Sequence, residues 1–469
     1  MPEGLSRRHL LFSGLVAGGA AFAAPGVSMS AARAEEPGPG NEFIPFPFFN
    51  AALFNDEALF CLGAAAAQTA EVGEVLMTIK SIVDATGNPA DPTSEAFSVY
   101  VRRFRQRSRE LARAARDSAD PMTVRQRHMR ASMYAAQSLF FVLGSRDGGR
   151  ERELFNQVDR NWQRAIATFG PDVERFSVMG AGARIPCYFF RPDGSNKRRP
   201  TLIISEGSDG QNVETMQFGV VAGLQRGYNV VLFEGPGQMR LLFRDRIPFT
   251  PNWNTVVGPI VRALRKRDDV GKIGVVGISF AGMLCARVAA RVKDIDAVVL
   301  QPAAYSFADL WGDQETIEQV RELQKAPPAE RKQAAAQINA GFEQAWPTLS
   351  RTAQFTIYKR GEIFSREVQR AARSGTVPKD YYGLIKTFLA FDYRNDYRTI
   401  RIPTLLTANQ GDEFFHQQAK KAFSWLRLPK ADKRLVTFTA DQGAQLHDQP
   451  MGPQVVQEVV FDWLNKRLR

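Results

Sequence analysis

The pattern of apolar and polar positions divides the chain into two regions. Between residues 43 and 169, apolar positions recur at helical spacing, with breaks at 87–92 and 117–121. From residue 173 onward, short apolar runs alternate with helix-like stretches. The runs predict eight strands, at 174–179, 185–190, 201–205, 229–233, 272–276, 297–301, 404–408 and 435–439. This alternation predicts an α/β fold with a mostly parallel sheet, preceded by an all-helical region.

The same pattern predicts the domain boundaries. Residues 35–170 are expected to form a helical N-terminal (cap) domain, and residues 171–469 an α/β domain. About a hundred helix-like residues, 303–400, separate the sixth and seventh strands. An insertion of that length lies above the carboxyl edge of a parallel sheet, so it predicts a helical lid.

The first 34 residues read as a targeting segment. Ser6-Arg7-Arg8-His9-Leu10-Leu11 is a twin-arginine pattern, a mildly apolar Gly/Ala-rich run follows, and Ala32-Arg33-Ala34 offers a cleavage site. The alternative is a chance Arg pair before an ordinary helix. The three elements in this order predict a twin-arginine signal peptide, recognition by the twin-arginine export machinery, and a periplasmic or secreted protein.

Composition fits a soluble globular protein, with 44% hydrophobic and 23% charged residues among 469. The formal charge of +12 would suggest nucleic acid for a cytosolic protein, but the predicted export argues against it. The densest basic run, between residues 102 and 116, is interpreted as a solvated helix face, with attraction to an anionic envelope surface or substrate as the alternative. Outside the targeting segment no apolar run reaches the roughly 18 residues of a membrane span, so none is expected.

The segment around Ser279 carries the main chemical signal. Gly277-Ile278-Ser279-Phe280-Ala281-Gly282 follows an apolar run at 273–276 and opens a helix-like stretch. A strand that turns into a helix around one Ser is the geometry of a nucleophile elbow, in which small neighbours are a steric requirement. Ser279 is therefore the candidate nucleophile.

A serine nucleophile needs a histidine base, and this chain has four histidines. His9 lies in the targeting segment, and His128 lies far upstream of Ser279. His447 follows the last predicted strand and precedes a terminal helix at 453–468, the position expected for the base. We interpret His416 as a rim or capping residue. The alternative for His447 is an ordinary surface or core histidine.

A carboxylate just past the seventh strand completes the predicted triad. Asp412 is preferred over Glu413 because its shorter side chain holds an imidazole more rigidly. The alternative for Asp412 is a helix N-cap. The predicted oxyanion hole combines the N–H of Phe280 with that of Ser208, or of Gly207 as second choice, in the loop after the third strand. That loop could also be an ordinary connection between strand and helix.

The sequence contains no motif typical of a metal site or a cofactor site. Cys61, Cys187 and Cys285 are widely spaced and form neither a CxxC pair nor a cluster with histidines. We expect all three to be structural, with at most one disulfide. No metal and no cofactor are predicted.

Six motifs resemble a group within the α/β-hydrolase superfamily that includes 2,6-dihydropseudooxynicotine hydrolase and fungal hydrolases that shorten heptaketide pigment precursors. Besides the elbow, the motifs are Arg130-Ala131-Ser132-Met133-Tyr134, Glu206-Gly207-Ser208-Asp209-Gly210, Glu234-Gly235-Pro236-Gly237-Gln238, Gly411-Asp412-Glu413-Phe414-Phe415 and Gly443-Ala444-Gln445-Leu446-His447. The resemblance implies the α/β-hydrolase fold, the Ser279, Asp412, His447 triad and cleavage beside a carbonyl.

Three positions depart from the group's usual residues. Ala281 and Glu206 stand where the group usually or often has Gly, and Glu234 where it usually has Asp. Glu206 would disfavour anionic substrates if it pointed into the pocket, although a solvent-facing position is the favoured interpretation. The candidate pocket residues are Glu206, Tyr134 and Trp311. The two aromatic residues could equally belong to the core.

These expectations together predict an exported serine hydrolase of a small organic substrate, acting on an ester or on a β-dicarbonyl C–C bond. An aminopeptidase-like hydrolase needs the same triad and is left open. A noncatalytic exported binding module of the same fold is the alternative from another class. The sequence also leaves a homodimer open.

Overall fold

The computed structural model of the chain describes residues 44–415 and 418–469. The predicted signal peptide, residues 1–34, lies outside the described residues, as does His416. Within the described ranges, an eight-stranded sheet is flanked by helices on both faces and joined to a helical N-terminal region.

The sheet has the strand order β1-β2-β4-β3-β5-β6-β7-β8. β2 pairs antiparallel with both β1 and β4, and all other pairs are parallel. The strands are β1 Val173–Gly180, β2 Ala183–Phe190, β3 Arg199–Ser205, β4 Asn229–Phe233, β5 Val270–Ile278, β6 Ala297–Gln301, β7 Thr404–Asn409 and β8 Lys433–Phe438. The predicted α/β fold with a mostly parallel sheet is confirmed.

Burial explains why these segments form strands. Every residue of β4 and β6 is buried, which matches their unbroken apolar runs and places helices on both faces. β1, at the edge of the sheet, is only partly buried along its length.

Five helices form the N-terminal region, as predicted for a helical segment ahead of the sheet. They are α1 Ala52–Gly63, α2 Val72–Thr86, α3 Ser94–Ala114, α4 Pro121–Phe141 and α5 Glu151–Ala167. Phe54, Phe97, Tyr100 and Phe141 form an aromatic core between α1, α3 and α4, with ring centroids 4.6–5.7 Å apart. Such edge and offset contacts add to the stabilisation from apolar burial.

The basic run falls on α3. Most of its arginines are exposed, which agrees with a solvated helix face. Arg105 differs, because it is buried and pairs with Glu153 of α5.

The remaining helices cover the sheet or belong to the insertion. Those outside the insertion are α6 Val220–Gln225, α7 Met239–Phe243, α8 Asn254–Leu264, α9 Phe280–Arg291, α16 Gln418–Trp425 and α17 Pro453–Leu468. The insertion between β6 and β7 is helical, as predicted, and contains α10 Gln314–Leu323, α11 Pro328–Ala345, α12 Arg351–Glu362, α13 Arg366–Ser374, α14 Tyr381–Leu389 and α15 Arg394–Thr399.

No helix in 44–415 or 418–469 has the length and apolarity that crossing a bilayer requires. Cys61, Cys187 and Cys285 are buried and free. Burial raises the pKa of the Cys285 thiol to about 12, so this thiol is held in its protonated form.

Candidate active site

Ser279 is the single residue that connects β5 to α9, and its backbone conformation is strained. Its φ of 52° and ψ of −124° lie in a region that side-chain-bearing residues rarely adopt. A Cβ on Gly277 would lie 2.2 Å from the Ala281 carbonyl oxygen, and one on Gly282 would lie 2.1 Å from that of Pro302. The turn therefore requires glycine at both places. Ala281 lies within α9, where its methyl group is accommodated in the core.

The structure brings Ser279, His447 and Asp412 together. Oγ of Ser279 lies 2.9 Å from Nε2 of His447, and Nδ1 of His447 lies 3.1 Å from both carboxylate oxygens of Asp412. An N–H at Nδ1 donating to Asp412 leaves Nε2 free to accept from the hydroxyl. His447 and Asp412 are 5% and 4% exposed.

Asp412 is held as an anion by several donors. It accepts from the Nδ2 of Asn409 at 2.9 Å and from the backbone N–H groups of Phe414 and Phe415 at 3.0 and 2.8 Å. Burial alone would raise its pKa, but His447 and the two N–H groups lower the pKa overall. The ring of Phe415 also stacks on the imidazole of His447, with centroids 5.1 Å apart.

A second carboxylate faces the other nitrogen of His447. Oδ2 of Asp448 lies 3.5 Å from Nε2, and the Asp448 side chain is 6% exposed. Burial would lower the pKa of His447, but the charges of Asp448 and Asp412 raise it overall to about 9. Burial raises the pKa of Asp448 to about 7.

The predicted oxyanion groups are placed unequally. Phe280 is the first residue of α9, where backbone N–H groups have no acceptor within the helix. In the loop after β3, Gly207 makes the closest approach to Ser279, since a Cβ on Gly207 would lie 2.6 Å from the Cβ of Ser279. Ser208 instead uses its hydroxyl to donate to Asp209 at 2.6 Å. That bond engages the hydroxyl and not the backbone N–H of Ser208, and Ser208 lines the cavity, so Ser208 and Gly207 both stay predicted donors.

Gln238 fixes the path of this loop. Its Nε2 donates to the backbone oxygens of Glu206 and Gly207 at 2.5 and 2.7 Å, and its Oε1 accepts from the N–H of Gly235 at 3.1 Å. Gln238 is 1% exposed. The motif around residues 234–238 therefore supports the loop beside Ser279 from a neighbouring strand end.

A cavity of about 1020 Å³, measured to its open mouth, adjoins Ser279. It lies between the N-terminal helices, the carboxyl edge of the sheet and the insertion. Its lining residues are Leu53, Asp56, Glu57, Phe60, Phe140, Glu206, Ser208, Asp209, Gly210, Glu214, Gln217, Phe218, Ser279, Phe280, Phe307, Leu310, Arg360, Ile363, Phe414, Phe415, His447 and Asp448.

The cavity corrects three expectations about the pocket. Glu206 lines it and is 5% exposed, so the favoured solvent-facing interpretation was wrong. Tyr134 does not line it, because its hydroxyl donates to Glu74 at 2.8 Å and fixes α4 against α2. Trp311 is also not part of the lining, since it packs on Phe388 and its indole N–H donates to the Tyr381 hydroxyl at 3.2 Å.

Sequence reasoning missed most of the charged lining. Asp56 and Glu57 come from α1, Arg360 from α12, and Asp448 directly follows the candidate base. A signal for the first two existed: two adjacent acids interrupt the otherwise apolar α1, and buried carboxyl groups need a polar surface to face. Within the described residues, no group of His, Cys, Asp and Glu side chains forms a candidate metal site.

The family model described as "alpha/beta hydrolase fold" matches residues 213–446. The chain belongs to the α/β-hydrolase superfamily. Among solved α/β-hydrolase structures, the crystal structure of the 2,6-dihydroxy-pseudo-oxynicotine hydrolase superposes with a TM-score of 0.58 at 17% identity. The superposition covers 87% of this chain and 95% of that one, which supports the same fold.

Curated relatives are fungal hydrolases. The chain is 29% identical over 279 residues to hydrolase ORFZ of Pyricularia oryzae, covering 56% of this chain and 63% of the relative. It is 29% identical over 284 residues to α/β hydrolase psoB of Aspergillus fumigatus, covering 56% of this chain and 61% of the relative. The match therefore spans less than two thirds of either relative's length.

Proposed function

We propose that this chain is a serine hydrolase that cleaves a bond next to a carbonyl group of a small organic substrate. The observation that carries the proposal is the pair of contacts at His447, with Ser279 Oγ 2.9 Å from one ring nitrogen and Asp412 3.1 Å from the other. The strained elbow supports it, because strain of this kind is retained where geometry serves a function.

Each group has one role in the proposed reaction. Asp412 holds His447 in the tautomer that accepts at Nε2, and His447 takes the hydroxyl proton as Ser279 Oγ bonds to the carbonyl carbon. The N–H of Phe280, together with that of Ser208 or Gly207, stabilises the oxyanion that forms. Collapse breaks the bond to the leaving group, which receives the proton from His447, and a water molecule then hydrolyses the acyl-serine by the same steps.

Two bond types fit this mechanism. An ester releases an alcohol, whereas a β-dicarbonyl compound releases a carbanion stabilised by the second carbonyl, which His447 protonates at carbon. The likeness to the 2,6-dihydroxy-pseudo-oxynicotine hydrolase concerns the fold alone. The aromatic and apolar part of the lining, which includes Phe140, Phe218 and Phe307, suits a small organic substrate of either type.

The proposal is tested by labelling the protein with a fluorophosphonate probe. We expect the wild type and Ser424→Ala to be labelled and Ser279→Ala to remain unlabelled. Ser424 is the matched control because it is an exposed serine on α16. An unlabelled wild type would instead favour a noncatalytic binding module of this fold.

The bond type is assigned by assaying p-nitrophenyl esters, aminoacyl anilides and β-diketones side by side with wild type and Ser279→Ala. Turnover of β-diketones that Ser279→Ala abolishes would assign C–C hydrolysis, and turnover of anilides an aminopeptidase-like activity. Turnover of esters alone would assign a carboxylesterase.

We further propose export through the twin-arginine pathway, on the basis of the pattern at residues 6–11 and the small-residue site at 32–34. The test follows the full chain in a bacterial host with and without a functional twin-arginine translocase. We expect Arg7→Lys with Arg8→Lys to retain the protein in the cytoplasm and Arg102→Lys to be exported. Export that is independent of the translocase would refute the proposal.

A further inference from the structure

The cavity beside Ser279 carries an excess of acidic side chains. Six of its lining residues have carboxyl groups, namely Asp56, Glu57, Glu206, Asp209, Glu214 and Asp448. Among the lining residues that the structure describes, Arg360 is the one lysine or arginine. Arg360 pairs with Asp209 and donates to the Ser208 hydroxyl at 3.3 Å, and its charge also lowers the pKa of Asp56 and Glu57.

Three of the carboxyl groups interact at one part of the cavity. They come from separate elements: Glu57 from α1, Glu206 from the loop after β3, and Glu214 from the turn that follows that loop. The charge of Glu214 acts on Glu57, and that of Glu206 acts on Glu214, in each case raising the pKa. With burial, the pKa of each of the three is about 8.

The protein itself does not supply a hydrogen-bond partner for every carboxyl oxygen of this cluster, as Glu206 shows. Its Oε1 accepts from the N–H of Gly210 at 3.1 Å, but its buried Oε2 has no hydrogen-bond partner among the described residues. The side chain is 5% exposed. A buried carboxyl oxygen without a partner costs free energy, and a ligand that pairs with it recovers that cost.

The other nearby cation, Lys359, lies outside the cavity lining. Its side chain is 2% exposed. Its Nζ lies 3.2 Å from Glu362 and 4.0 Å from Asp209. The charge of Lys359 lowers the pKa of Glu57, Glu206 and Glu214, but burial outweighs it and the pKa of each stays raised, to about 8.

Aromatic rings complete the environment. Phe60, Phe140 and Phe218 line the same cavity. Aromatic faces attract cations through their quadrupole, and such rings next to carboxylates are the surroundings in which proteins bind ammonium groups. A neutral polar ligand would gain less from this combination than a cation.

We infer that Glu57, Glu206 and Glu214 form a subsite for a positively charged ammonium group of the substrate. The inference deepens the proposed function and rests on it only in calling the ligand a substrate. Binding of an ammonium group at the subsite can be measured without any reaction. It also gives the substrate an orientation. Gly207, the residue after Glu206, packs against Ser279, so the ammonium group is held close to the carbonyl under attack.

The first test compares p-nitrophenyl esters whose acyl chain of two to four methylene groups ends in trimethylammonium, in the isosteric tert-butyl group, or in a carboxylate. At pH 8.5 we expect kcat/KM for the best trimethylammonium ester to exceed that of its tert-butyl isostere by about tenfold or more, and the carboxylate ester to be poorest. A ratio of one or less, with the tert-butyl esters turned over, would overturn the inference.

Variants connect the preference to the three residues. Glu57→Gln, Glu206→Gln and Glu214→Gln are each expected to reduce the ratio severalfold, whereas Glu71→Gln, an exposed acid at the start of α2, leaves it unchanged. Thermal melts confirm that each variant is folded. A ratio that persists in all three variants would place the cation elsewhere and overturn the assignment.

A second measurement does not depend on turnover. Calorimetric binding of (4-hydroxybutyl)trimethylammonium to the wild type is compared with that of 5,5-dimethylhexan-1-ol, its uncharged isostere. We expect at least about tenfold tighter binding of the cation, reduced in Glu206→Gln. Cation binding without hydrolysis of any ester would leave the subsite standing and count against the hydrolase, whereas hydrolysis without cation preference would do the reverse.

Discussion

Asp448 Oδ2 lies 3.5 Å from Nε2 of His447, the same ring nitrogen that faces the Ser279 hydroxyl. Asp448 has a φ of 53°, which is uncommon for a residue with a side chain. His447 is thus placed between two carboxylates, with Asp412 on Nδ1. Glu413 also raises the pKa of His447, and Asp56 lies close enough for the His447 charge to affect its own pKa.

This arrangement predicts that the substitution Asp448→Asn shifts the pH–rate profile. The base must be neutral imidazole, and the pKa of His447 is raised to about 9, so kcat/KM should rise with pH up to about that value. Removing the Asp448 charge lowers the pKa of His447. The rising limb should therefore shift to lower pH, by about one unit or more.

The measurement is kcat/KM for a neutral ester between pH 6 and 10. Asp441→Asn, which removes an exposed carboxylate a few residues away, serves as control and should leave the limb in place. A limb that is unmoved in Asp448→Asn would show that Asp448 does not act on the base.

Gly207→Ala is expected to reduce kcat by about a hundredfold. The added methyl would lie 2.6 Å from the Cβ of Ser279 and 3.0 Å from the Ile278 carbonyl oxygen, so the loop must move away from the elbow. Gly73→Ala makes the same chemical change in α2, where a Cβ meets nothing within 4 Å. That control should retain full activity, and equal activity in the two variants would contradict the placement of Gly207.

Much of the fold could be predicted because its signals are local. Each of the eight strands was expected within a few residues of where it lies, since buried parallel strands read as short apolar runs between polar breaks. The order of the strands was not predictable from these runs. Which strand pairs with which depends on long-range packing that no local pattern records.

The residues of the candidate site show the same difference between local and long-range signals. Ser279, Asp412 and His447 follow strand ends in chain order, so their convergence could be expected from topology. Asp56 and Glu57 reach the same cavity from α1, more than two hundred residues earlier in the sequence. Only the docking of the N-terminal helices on the sheet brings them there, and for the same reason Tyr134 was misplaced in the pocket.

Gln238→Ala is expected to lower the free energy of unfolding by about 1–3 kcal/mol and to reduce turnover as well. It removes the donor to two buried carbonyl oxygens, those of Glu206 and Gly207, and so loosens the loop beside Ser279. Gln333→Ala, at an exposed position on α11, should change neither quantity. The checks are urea unfolding and steady-state kinetics. A stable Gln238→Ala variant with full activity would show that the loop holds its path without this side chain.

The last prediction concerns the attachment of the N-terminal helices to the insertion. Nε of Arg373 on α13 lies 2.5 Å from Glu151 on α5, which is fully buried and whose charge raises the pKa of Glu362. Arg373→Met leaves Glu151 buried without its cation, while Glu362 keeps Lys359 at 3.2 Å, and the variant should be destabilised by about 3–5 kcal/mol in urea unfolding. Lys80→Met breaks a pair whose side chains are 63% and 60% exposed, so its effect should stay within about 0.5 kcal/mol. If both variants unfold at the same urea concentration as the wild type, the ion pair does not hold the two helical regions together.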